Sequence, residues 1–145
     1  MTQRAETAHS TLHPVHAMLS AFPLAFFPAA LVTDIAYANT ANMQWANFSV
    51  WLIAGGAAMG IVAALAGIVD AVVSRKRRRG RSSSLHTILM IVTLVVAIVN
   101  GFIHSRDAWT SVVPTGLILS AVTTILVLVA SWLGYSAAQS DSGAA

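Results

Sequence analysis

Histidines and carboxylates that stand inside or beside long apolar runs are the residues of this chain able to do chemistry. His13 and His16 have the His-x-x-His spacing that puts two ring nitrogens on one face of a helix. His86 opens a later apolar run, and the three together would make a transition-metal site. Imidazole is also an axial ligand of haem. His16 and His86, carried on separate helices, would supply two such nitrogens to a b-type haem, with Asp70 as the acceptor that orients a ligating ring. A second group gathers at the other ends of the apolar runs: Asp34, Asn100, His104 and Arg106, with Asp107 beside it. Asp34 paired with Arg106 would cancel two charges and tie the first helix to the third. The functional alternative is a proton or quinone site in which Asp34 and His104 exchange protons and Asn100 offers a hydrogen bond. A plain structural reading stands beside each: interfacial histidines cap helices or meet lipid headgroups, and buried polar pairs join helices. There is no Cys, so thiolate metal sites and cysteine nucleophiles are excluded. No nucleophile elbow, phosphate loop, His-Glu-x-x-His signature or pair of catalytic carboxylates occurs, which leaves no catalytic residues and no support for an enzyme acting alone.

The elements that position these residues follow from composition. Of the 145 residues 57% are hydrophobic and 9% charged, against about 25% charged in soluble domains. So few charges cannot cover a soluble globule, and the expected solvent is lipid. A helix needs about 20 apolar residues to cross about 30 Å of hydrocarbon. Four stretches qualify: Val15 to Tyr37, Ala46 to Ser74, Leu85 to Ile103 and Val112 to Ser136. The joints are short, which favours antiparallel neighbours. The expected fold is an all-α integral membrane protein, a four-transmembrane-helix up-down-up-down bundle over residues 15–136. A polar segment (1–14) would precede it and a flexible tail (137–145) follow it.

Six of the 8 Lys and Arg residues lie between Arg75 and Arg81. No aromatic residues interleave with them, so nucleic acid is not an expected partner. The run reads as a topology signal that keeps this loop, and with it both chain ends, in the cytoplasm. Trp45, Trp51 and Trp109 would then edge the opposite interface, and Trp132 and Tyr135 the cytoplasmic one. Ala36-Tyr37-Ala38 imitates a signal-peptidase site, but the preceding stretch is long, contains Pro23, Pro28 and Asp34, and reads as a retained span. The two prolines should kink it. Small residues at Gly56, Gly60, Ala64 and Gly67, and at Gly116, Ser120 and Thr124, mark faces for close helix contact, within the bundle or in a homo-oligomer.

Helical spacing sharpens the picture. His86 and His104 are eighteen residues apart, which is five turns, so they share a face; Thr93 and Asn100 lie within about 40° of it. This polar stripe should face the bundle interior. His16 and Asp34 have the same separation on the first helix. His16 and His86 therefore belong at one membrane level, and Asp34 with His104 or Arg106 at the other.

Several motifs recur in one order, one or two per helix: His13-Pro14-Val15-His16, Phe22-Pro23 and Asp34; Gly67-Ile68-Val69-Asp70; His86, Asn100 and Arg106; and Trp132-Leu133-Gly134. From His13 to about Tyr135 the chain resembles the bacterial inner-membrane family catalogued as domain of unknown function 2231. Ala17 stands where that family often has a second Pro, and Tyr135 where it usually has Gly. The resemblance implies four spans in a bacterial inner membrane and marks His16, Asp70 and His86 as family-type positions. The expected function is a haem b electron-transfer subunit linked to a quinone or a membrane dehydrogenase. The alternatives are a non-catalytic scaffold or anchor of a larger complex, and metal or proton transport. Against transport, the chain is short and shows no inverted repeat and no continuous polar path.

Overall fold

The computed structural model describes residues 12–73, 81–106 and 109–142. These form four long helices, α1 (Leu12–Thr40), α2 (Met43–Val73), α3 (Arg81–His104) and α4 (Thr115–Ser142), with one 3-10 turn at Trp109–Ser111. α1, α2 and α3 contain stretches of 26, 27 and 21 residues long and apolar enough to cross a membrane, and a fourth such stretch, Trp109–Ser136, runs from the 3-10 turn into α4. The protein is thus a four-span helical bundle, as composition and segment length require. α1 continues through Pro23 and Pro28 without interruption. Of the Arg75–Arg81 run, residues 75–80 lie outside the described residues.

The turn between α1 and α2 is tight. The Ala41 amide donates to the Tyr37 carbonyl at 2.8 Å, and Ala41 takes a left-handed φ of 52°, a conformation that ends helices. Asn42 then caps α2, its Oδ1 accepting from the Gln44 amide at 3.0 Å.

α1 packs on α2 and α4, and α3 packs on α4 and α2, so α1 and α3 are diagonal in a square bundle. Contacts fix the directions. His16 near the start of α1 meets Ala63 late in α2, whereas Asp34 late in α1 meets Ser49 early in α2. In the second hairpin His86 meets Ala130 and Asn100 meets Ser120. Consecutive helices therefore run up-down-up-down. We call the end holding His16 and His86 the open end and the opposite one the turn end.

The two hairpins repeat one another in burial. Buried Pro23, Phe27, Ala30 and Asp34 of α1 correspond, 70 residues on, to buried Thr93, Ala97, Asn100 and His104 of α3. Buried Ser49, Ile53, Gly56, Gly60 and Ala63 of α2 correspond, 67 residues on, to buried Gly116, Ser120, Thr123, Val127 and Ala130 of α4. An approximate two-fold axis running along the bundle relates the halves, a parallel repeat and not an inverted one. Lipid explains why the interior carries hydroxyls and ionisable groups while Trp51, Leu65, Ile91, Phe102, Ile125 and Trp132 point outward: hydrocarbon accepts apolar side chains and rejects polar ones.

Small residues let the helices approach. A Cβ on Gly56 would lie 2.6 Å from the Phe27 ring, and one on Gly60 3.2 Å from Leu94. The expected stripe passes through buried Ala63, not Ala64, which is exposed. The reason is geometric: the face of α2 that meets α1 and α3 advances by alternate three- and four-residue steps, through Ser49, Ile53, Gly56, Gly60 and Ala63, whereas a strict four-residue spacing drifts off it.

Candidate functional site

At the turn end the pseudo-axis passes between its own equivalents, Asp34 and His104. His104 Nε2 lies 2.9 Å from Asp34 Oδ1, and both side chains are fully enclosed. The opposite ring nitrogen, Nδ1, lies 3.0 Å from the Asn100 carbonyl oxygen. A carbonyl only accepts, so Nδ1 carries a proton and donates. One further proton must lie between Nε2 and Oδ1, on either atom, and the pair is neutral overall in both arrangements.

Hydroxyls complete this cluster. Ser49 donates to the same Asp34 oxygen and exchanges a 2.7 Å bond with Thr33; the Thr33 hydroxyl also reaches the Ala30 carbonyl at 2.8 Å. Asn100 Nδ2 donates to Ser120 Oγ at 2.9 Å. All four helices contribute, so the cluster pins the bundle across its diagonal. Gly116 supplies the room for the ring: a Cβ there would come within 2.7 Å of His104 Cε1. Tyr37 and Trp109 close the end with ring centroids 5.4 Å apart.

At the open end two half-buried histidines are held in matching ways. His16 on α1 donates Nδ1–H to the Ala63 carbonyl of α2 at 2.8 Å. His86 on α3 donates Nδ1–H to the Ala130 carbonyl of α4 at 2.7 Å. In each case the ring lies against the glycine one turn beyond the accepting alanine, Gly67 or Gly134, where a Cβ would approach to 3.3 Å and 2.8 Å respectively. The repeat that equates Ala63 with Ala130 thus equates the two histidines as well. Each leaves Nε2 with no hydrogen-bond partner among the described residues. A fixed Nδ1–H with a free Nε2 is the state in which imidazole binds a metal.

The family model described as predicted membrane protein (DUF2231) matches residues 12–144, which takes in both clusters and every helix. The chain belongs to the DUF2231 family. No curated protein and no solved structure matches it.

Several sequence expectations can now be placed on the DUF2231 bundle. The polar stripe of α3 does face inward, with Thr93, Asn100 and His104 buried. The level matching also holds, since Asp34 touches His104. The partner expected for Asp34 was Arg106, and this is corrected: Arg106 is exposed, and the carboxylate bonds to His104 and Ser49 instead. His104 comes from the last turn of α3, on its buried stripe, whereas Arg106 lies beyond the helix end and reaches water at little cost. Among the described residues both Nδ1 protons go to backbone carbonyls, and the orienting role expected of Asp70 falls on a side chain outside them. The side chains of Asp70 and His13 lie outside the described ones, as does Asp107 altogether. Among the described residues no three His, Cys, Asp or Glu form a group able to hold a metal ion.

Sequence reading missed Ser49, Thr33 and Ser120 as members of the turn-end cluster. Ser49 was accessible in principle, as the first member of the buried stripe of α2. The backbone acceptors Ala63 and Ala130 had no such sign, since every residue has a carbonyl.

Proposed function

We propose that this DUF2231 protein is a membrane electron-transfer subunit that holds a b-type haem between His16 and His86. The supporting observation is the pair of equivalent imidazoles, one per hairpin, each with its Nδ1 proton tied to a neighbouring helix and no partner on Nε2 among the described residues. Fit to the group rests on this donor set: two neutral nitrogen ligands of the type that haem iron accepts. When bound, the group would supply one-electron redox chemistry. The chain itself fixes the tautomer and orientation of each ligand through Ala63 and Ala130, and keeps α4 and α2 close enough to do so through Gly134 and Gly67. Hydrogen bonding of Nδ1–H to a carbonyl also makes the free nitrogen a better donor.

On this reading the basic run between α2 and α3 keeps the open end, with both chain ends, on the cytoplasmic side of an inner membrane. The partner class is a quinone or a membrane dehydrogenase.

The test is a pair of visible spectra, air-oxidised and dithionite-reduced, of the detergent-purified full chain expressed with haem supply, together with a pyridine haemochrome assay. Stoichiometric b-type bands are expected, and their loss in both His16→Ala and His86→Ala while the helical far-ultraviolet spectrum persists. A colourless wild-type protein with full helicity overturns the proposal and leaves a membrane scaffold.

A further inference from the structure

Two oxygens in the turn-end cluster have no donor. Asp34 Oδ2 and Asn100 Oδ1 are buried side-chain atoms without a hydrogen-bond partner among the described residues, and their residues are 0% and 1% exposed. The hydrogen bonds of the neighbouring groups go to other atoms. His104 uses both ring nitrogens, on the Asn100 carbonyl and on Asp34 Oδ1. Asn100 Nδ2 serves Ser120, and Ser49 serves the other Asp34 oxygen. The Ser120 hydroxyl, which accepts from Asn100 Nδ2, bonds to neither oxygen.

We propose that these two oxygens are the acceptor half of an internal water site, occupied by one or two water molecules that donate to Asp34 Oδ2 and Asn100 Oδ1. The chemistry of the two oxygens selects this ligand. Both protein atoms accept, so the occupant must bring hydrogens. An oxidised quinone brings carbonyl oxygens, which would face acceptors with acceptors. A quinol brings donors on a ring too large for a site between Asp34 and Asn100, which are 0% and 1% exposed. A hard cation such as Ca²⁺ takes six to eight oxygen ligands, far more than the two on offer. Water is small, supplies two donors and is retained in closed sites that give it polar partners, whereas purely apolar cavities stay dry. The position gives the site its significance: Asp34 Oδ1 already shares a proton with His104 Nε2, so water on Oδ2 extends that shared proton into a hydrogen-bonded chain across the pseudo-axis. The inference is independent of haem at the open end.

The test uses the full chain in lipid nanodiscs. Partly dried films are exchanged between H₂¹⁶O and H₂¹⁸O and examined by difference infrared spectroscopy, with a crystal structure from a lipid mesophase alongside. The expected result is a narrow, isotope-shifted water O–H band in the wild type, displaced in Asp34→Asn and lost in Asn100→Leu, with density within about 2.7–3.2 Å of both oxygens. Wild-type protein alone decides the matter if a variant fails to fold. A folded wild type with no isotope-sensitive band and no density there overturns the proposal. So does a direct Asn100 amide to Asp34 carboxylate bond that closes the gap without water.

Discussion

Replacing Asp34 and His104 singly and together measures how strongly the pair couples the two hairpins. Both side chains are enclosed and joined at 2.9 Å, so neither can turn to water when its partner is removed. In Asp34→Leu the ring keeps its bond to the Asn100 carbonyl but loses its other partner, and the Ser49 hydroxyl loses its acceptor. Stranding such groups costs about 1–3 kcal/mol each. In His104→Leu the carboxyl group is left with Ser49 alone; it takes up a proton or remains a buried charge, and the expected loss is about 3–5 kcal/mol. In the double variant two leucines face each other on the diagonal, and no charge is left without a partner. Apolar replacement of both members of a buried pair is often neutral or stabilising. The double variant should therefore be more stable than His104→Leu alone, with a coupling of at least about 1–3 kcal/mol, well beyond the ~0.5 kcal/mol scatter of independent sites. Reversible unfolding in lipid-detergent micelles, followed by steric trapping or denaturant titration, gives the four stabilities. Additivity of the two single losses would refute the reasoning, because it would mean that Asp34 and His104 do not depend on each other.

The remaining predictions concern close approach and the turn. Gly134→Ala should displace His86, whose ring would lie 2.8 Å from the new Cβ, and abolish cofactor absorbance in the spectra described above. Gly67→Ala, at 3.3 Å from His16, should weaken it only partly, and the reverse order would count against the assigned seats. Gly56→Ala places a Cβ 2.6 Å from the Phe27 ring and should cost about 1–3 kcal/mol by overpacking, read from the same unfolding assay. Ala41→Gly relieves a left-handed residue at φ 52° and should stabilise by about 1 kcal/mol, appearing as a higher denaturation midpoint with unchanged slope.

The spans were legible because a membrane-crossing helix is written in length and hydropathy alone, and α1 to α4 contain the four expected stretches with ends shifted by a few residues. The inward stripe of α3 was legible too, since Thr93, Asn100 and His104 stand out against Ile, Val and Leu. Pairing was harder. Asp34 had two basic residues at a suitable level, His104 and Arg106, and formal charge favoured the wrong one; burial decides for His104 because its ring needs the interior less expensively than a guanidinium would. The repeat escaped notice since it preserves positions and not identities: Pro23 answers to Thr93, Ala30 to Asn100, Ser49 to Gly116. Only a register of buried sites reveals it. The tethering of His16 and His86 was hidden for a related reason, as its acceptors are main-chain atoms.

That register has a consequence for assembly. The two halves share a register of buried positions, so by packing alone a first hairpin would dock against a first hairpin from another molecule as well as against its own second half. Such a like-with-like union would bring one Asp34 carboxylate against another, and a union of second halves would set His104 against His104. Only the unlike combination yields a proton shared between acid and base. The acid on one half and the base on the other would act as a mating type, written at a single pair of positions, that favours the complement over the twin.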